Sequence, residues 1–185
     1  MRRKQVIAMD DAALLAKLAR LDDPVYGEYP GGWAHWGQAA AEAQFLRLVD
    51  MLAARLECPT QESRPSSRDP GYDRARERAL CYETGAYVQD ASFHGDILLP
   101  QVLLTAEALA ANSFVGLRTS NFGHLAMFYD DDTEVRPAAH AIILEALEEL
   151  GYTFVPSRVL TQPCTGQNHG VNGFSTWGMR YFDYV

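Results

Sequence analysis

Between Ala91 and Val155 the apolar residues change period in a fixed succession, and that succession leaves few folds open. Ala91–Leu99 alternates, with Phe93, Ile97 and Leu99 on one side and Ser92, His94 and Asp96 on the other, the period of a half-buried strand. Pro100 suits a first helical position, and Val102, Leu103, Ala106, Leu109 and Ala110 follow at helical spacing. Phe114–Thr119 and Phe122–Tyr129 predict two strands about the turn Ser120-Asn121. Thr133 is placed to cap a helix running to Leu150, with Pro137 in its first turn and Gly151 at its end. Tyr152–Val155 returns to a strand. The order β-α-β-β-α-β is that of the split βαβ, a ferredoxin-like α+β fold with both helices on one face of an antiparallel sheet. A further strand over Phe174–Tyr184 would extend its edge.

The preceding residues read as a helical extension. Leu14, Leu15, Leu18 and Leu21 predict a helix capped by Asp10 or Asp11. Phe45, Leu48, Val49, Leu52 and Leu56 form the apolar stripe of a second, over Gln38–Glu57. Between them lies an aromatic loop, Tyr26 to Trp36. Cys58–Gly71 is a polar, proline-bearing connector, and Tyr72–Thr84 is expected to be a third helix with Arg74, Arg76 and Arg78 outward. At 185 residues the chain has the length of one domain. Residues 1–84 form its helical part and residues 85–185 its sheet part.

Charge divides along the same line. Residues 1–82 carry 12 Lys+Arg and 12 Asp+Glu, whereas residues 83–185 carry 4 and 12, so the net charge of -8 belongs to the second part. An acidic surface favours basic partners and speeds encounter with them. It also repels phosphate backbones, which argues against a nucleic-acid partner. The stretch Ser120–Phe128 resembles the third-strand signature of the RNA-recognition motif in Phe122 and Gly123, but Ser120 replaces its basic first position and Met127 its last aromatic one. No apolar run is long enough to cross a membrane. The short Val6–Met9 stretch does not make an export signal, and three unpaired cysteines suit a reducing, cytoplasmic setting.

Chemistry-bearing residues are few. With the first and third strands of a ferredoxin-like sheet as neighbours, His94, Asp96, Phe122 and His124 would meet on the face not covered by the two sheet helices. Two imidazoles and a carboxylate can move protons or hold a polar ligand; packed under the N-terminal helices, they would be an internal hydrogen-bonded group instead. Cys164, Asn168 and His169 share a Gly/Asn-rich loop, without the electropositive setting a thiolate nucleophile requires. Asp130-Asp131-Asp132 favours a helix start. Arg180 and Asp183 can pair with the chain or with a ligand. No metal-ligand spacing, phosphate loop, dinucleotide fingerprint or hydrolase elbow occurs, so no metal, cofactor or catalytic residue is assigned.

Two expectations of function follow. The first is a non-catalytic binding or regulatory protein, of the kind that neutralises another protein, engaging a basic partner through its acidic sheet half. The second is a small ligand-binding protein or enzyme built on the His/Asp cluster. Pairing of two copies through an exposed sheet edge is a further possibility.

Overall fold

The computed structural model describes residues 10–22, 37–62, 77–87, 92–120, 124–129, 132–166 and 175–182. The aromatic loop Tyr26–Trp36, Arg74, Arg76, Phe122, Asp130, Asp131, Asn168, His169 and Asp183 lie outside them.

Helix α1 (Asp11–Leu21) starts where Asp10 accepts the Ala13 amide on its side chain at 2.7 Å, the expected cap. Helix α2 (Gln38–Leu56) buries Phe45, Leu48, Val49 and Leu52, as its stripe predicts. Strands follow at Thr60–Glu62 (β1), Leu80–Tyr87 (β2), Ser92–Leu98 (β3), Gly116–Ser120 (β4), Leu125–Phe128 (β5) and Thr153–Phe154 (β6). They lie in one sheet in sequence order, antiparallel from β2 to β5, with β1 parallel to β2 and β6 parallel to β5 at the margins. The fold is α+β with a mixed open sheet.

Two fold expectations are corrected here. A ferredoxin-like sheet would set β3 beside β5, but β4 lies between them and pairs with both. Helices also cover both faces. Phe93, Ile97, Leu117, Ala126 and Phe128 pack with α2 and with helix α4 (Pro137–Glu149) in one core. Leu125 packs in a second core with Leu14 and Leu18 of α1, Val159 and Leu160 of helix α5 (Ser157–Leu160), and Trp177, Tyr181 and Phe182 of helix α6 (Trp177–Phe182). Leu125 and Ala126 are consecutive, so the two cores lie on opposite sides of the sheet.

Local differences have equally local causes. Leu80–Tyr87 is a strand where a helix was expected, because Leu80 and Tyr82 turn to the first core while Cys81 turns the other way, which is a period of two. The helix expected after Pro100 is split into a 3-10 turn (Gln101–Leu103) and helix α3 (Ala106–Ala110). Leu104 forms a bridge with Val135, and Thr105 donates its amide to the Glu134 carbonyl before capping α3. Thr133 lies in a 3-10 turn (Asp132–Glu134), and α4 begins at Pro137. The expected last strand is α6 instead. Trp177 and Tyr181, one turn apart, stack at 6.0 Å and are both buried.

Candidate functional site

The expected cluster is best judged by the rows of cross-strand partners, which share a face. His94 of β3 sits opposite Ser120 of β4, and Ser120 opposite Leu125 of β5; Asp96, Arg118 and Met127 form the parallel row. His94 and Asp96 therefore face the second core, the one built from α1, α5 and α6. The His94 ring lies so close over Gly85 of β2 that any side chain there would collide with it.

Asp96 is committed to an ion pair. Arg118 Nε and Nη2 donate to its two carboxylate oxygens at 2.8 and 3.0 Å, the bidentate geometry that guanidinium favours. Arg118 Nη1 donates to the Phe182 carbonyl at 3.1 Å, and the guanidinium lies 4.6 Å above the Tyr129 ring. Burial disfavours the Arg118 charge, but the bonds and charge of Asp96 and the nearby Tyr129 outweigh it and hold its pKa above the usual value. The Asp96–Arg118 pair thereby ties the end of α6 to the sheet. A carboxylate so engaged is not an open acid or ligand group.

His124 lies elsewhere. It immediately precedes β5 in the left-handed region, with φ 48, and β4 separates its strand from that of His94. Its ring packs edge-on against Tyr152 at 6.0 Å, and its carbonyl accepts the Thr153 amide at 2.8 Å. Burial, and then the nearby Lys17, hold the imidazole pKa below its usual value. Tyr152 is pushed up to about 12 by burial, with the Thr119 side chain and Arg47 pulling the other way. Lys17, half-buried on α1, donates to the Thr153 hydroxyl; burial and then Arg20 lower its pKa. The structure thus places His94 and Asp96 in one environment and His124 in another. Phe122 is outside the described residues.

The residues around His124 were not singled out from sequence. Lys17 is one of two cations on an ordinary amphipathic helix, and Tyr152 and Thr153 read as strand. Nothing local links them to position 124. The arginine that neutralises Asp96 has no local signal either, since it is visible only in the β3–β4 register.

A pH dependence follows from His124. A base whose folded pKa lies below 6.5 is protonated more readily in the unfolded chain, so its contribution to stability is complete above that pH and declines as pH falls toward the folded value. Urea denaturation across a buffer series should show this decline. His124→Asn keeps a residue tolerant of the left-handed backbone and should flatten it. An equal decline in the variant would place the acid sensitivity elsewhere.

Among the described residues no group of three or more His, Cys, Asp or Glu side chains is arranged to hold a metal ion. No described helix is long and apolar enough to cross a membrane. No protein-family model matches this chain, and no curated protein or solved structure matches it.

Proposed function

We propose that the protein is a cytoplasmic, non-catalytic binding or regulatory protein that engages a basic protein partner through the acidic surface of its sheet half, in the manner of a neutralising protein. One observation carries the reading. All four arginines of residues 83–185 donate to groups of the fold itself: Arg118 to Asp96, Arg136 to the Leu104 carbonyl, Arg158 to Asp11 and Arg180 to Asp22. Several carboxylates of the same part are not consumed in this way. Glu145 and Glu148 are exposed on α4, Glu107 is exposed on α3, and among the described residues none of the three has an ion-pair partner. Helix α4 carries three glutamates and neither lysine nor arginine.

Cations engaged by groups of the fold and exposed anions without ion-pair partners yield a surface field of one sign, which steers a basic partner and rejects acidic ones. The three cysteines support the cytoplasmic part of the reading. Each is a buried free thiol, and burial raises the pKa of each, the condition of a structural cysteine and not of a reactive one.

The test is binding of the immobilised protein to a panel of small basic proteins at low and high salt. At least one should associate, with a rate that falls roughly tenfold or more as the ionic strength rises from about 0.05 to 0.5 M. The double substitution Glu145→Lys with Glu148→Lys should abolish that association without lowering thermal stability. Absence of any binder, or a binder indifferent to both salt and charge reversal, would reject the reading.

A further inference from the structure

Of the four large apolar side chains exposed among the described residues, three lie in one connection: Val102, Leu109 and Phe114, with 49%, 39% and 45% of their surface open. Single apolar residues on a surface call for no explanation, but a group of them does. Residues 99–115 join β3 to β4 and contain the 3-10 turn and α3. One set of their side chains, Leu99, Leu103, Leu104, Ala108 and Val115, fills the first core. The other set faces outward, and Ala106 and Ala110 are exposed with it. Ala106, Leu109 and Ala110 share a side of α3, so this helix is apolar on both sides while the fold covers one of them.

A loose backbone is not the cause of that exposure. Thr105 caps α3 by accepting the Ala108 amide and gives its own amide to the Glu134 carbonyl. Leu104 bridges Val135, and the Arg136 amide and Nε donate to the carbonyls of Leu103 and Leu104. The Ser113 hydroxyl donates to the Glu134 carboxylate at 3.0 Å. A surface held in advance loses little conformational freedom when a partner covers it.

Charge decides what can cover it. Residues 83–117 contain no lysine or arginine, and the one charged residue of 99–115 is Glu107, exposed on α3. Glu134 is bonded to the same connection and follows Asp130-Asp131-Asp132 in the sequence. The cation in contact with it, Arg136, is already bonded to Leu104. A second copy of the chain would set these carboxylates against their own equivalents, and like charges brought together are repelled. A positively charged partner meets the opposite condition.

We propose that the 99–115 connection is the docking surface for an amphipathic segment of a basic protein, with apolar side chains against Val102, Leu109 and Phe114 and a lysine or arginine against Glu107. The proposal rests on the reading of a basic partner and names the surface which that partner meets. The glutamates of α4 act on the rate of encounter, whereas apolar contacts at the connection set how long the complex lasts.

Binding kinetics of two synthetic helical peptides on the immobilised protein test it. Both peptides carry the same leucine face; one bears lysine on its other face and the other bears glutamate. The leucine–lysine peptide should bind and the leucine–glutamate peptide should not. Leu109→Ser with Phe114→Ser should raise the dissociation rate of the bound peptide roughly tenfold or more and leave its association rate within about threefold. Leu46→Ser, which removes an exposed apolar side chain of α2, should change neither. All three positions are exposed, so thermal melts of the variants should match wild type. Failure of the leucine–lysine peptide to bind, equal binding of both peptides, an unchanged lifetime in the folded Leu109/Phe114 variant, or an equal loss in Leu46→Ser would overturn the docking surface. So would a wild-type dimer in sedimentation that the Leu109/Phe114 variant dissociates, which assigns the face to a second copy. A basic protein that binds the variant with salt dependence and lifetime intact would reject this surface and leave the basic-partner reading standing. Failure of the peptide and of every basic protein to bind wild type would reject both.

Discussion

Replacing Arg180 by Met should cost about 3–5 kcal/mol of folding stability, a fall in melting temperature on the order of 10 °C for a chain of this size. Arg180 donates through Nε to Asp22 Oδ1 at 2.9 Å, and both side chains are 0% exposed. The pair joins α6 to the C-terminal cap of α1, and Cys164 is close enough to feel both charges. Gly166 closes over it, where a Cβ would run into the Asp22 carboxylate. Both side chains are closed to solvent, so the single substitution leaves a carboxylate buried without the Arg180 charge. The double substitution Asp22→Leu with Arg180→Met removes both charges and should recover most of the loss, since apolar replacement of a whole buried pair is often neutral. Urea denaturation of the three proteins is the measurement. A loss below about 1 kcal/mol for Arg180→Met would mean the pair behaves as a solvated one.

The second large effect is expected on the opposite face, at Gly95. The Phe45 ring of α2 lies directly on this glycine of β3, so that a Cβ would fall within the ring's own volume. Phe45 is 0% exposed and makes edge contacts with Tyr82 and Phe93 at 6.2 and 6.0 Å. It has nowhere to retreat. Gly95→Ala should therefore destabilise by about 1–3 kcal/mol through overpacking, and Phe45→Ala by about 3–5 kcal/mol through the cavity it leaves. Pairing Gly95→Ala with Phe45→Leu should cost less than the sum of the separate changes, because the smaller side chain makes room for the methyl. Strict additivity in denaturant titrations would show that the two positions are not in contact.

These two sites also show what could be read in advance. The α2 stripe that buries Phe45 is a local periodicity, and so is the alternation that turns Phe93 and Ile97 of β3 toward it. Both were legible. The strand order was not. Leu125, Ala126, Met127 and Phe128 are apolar in succession, and a strand covered on both faces carries no polar alternation to mark its sides. Assigning Leu125 and Met127 to the same side as Phe93 drew His94 and His124 together; their actual placement with the α1 and α6 layer separates them. The Trp177–Phe182 segment is rich in aromatics, which favours a strand by composition, yet the stacking of Trp177 on Tyr181 and the Arg180–Asp22 bond are met by a helix. That bond spans 158 positions, beyond the reach of any pattern read within a window. The Lys17 environment was hidden for the same reason, since it joins α1 to residues at the far end of the chain.

The sequential order of the sheet bears on how the chain finds its structure. From β2 to β5 every strand pairs with the one next to it along the chain, so each new pairing closes a modest loop, and closure entropy rises only slowly with loop length. The parallel partners at the margins differ in kind, because a parallel pairing needs a crossover connection: residues 63–79 between β1 and β2, and a stretch containing α4 between β5 and β6. The entropic cost of assembly therefore falls on the two crossovers and on the 99–115 connection, while the β2–β3 and β4–β5 pairings can form from contacts between near neighbours.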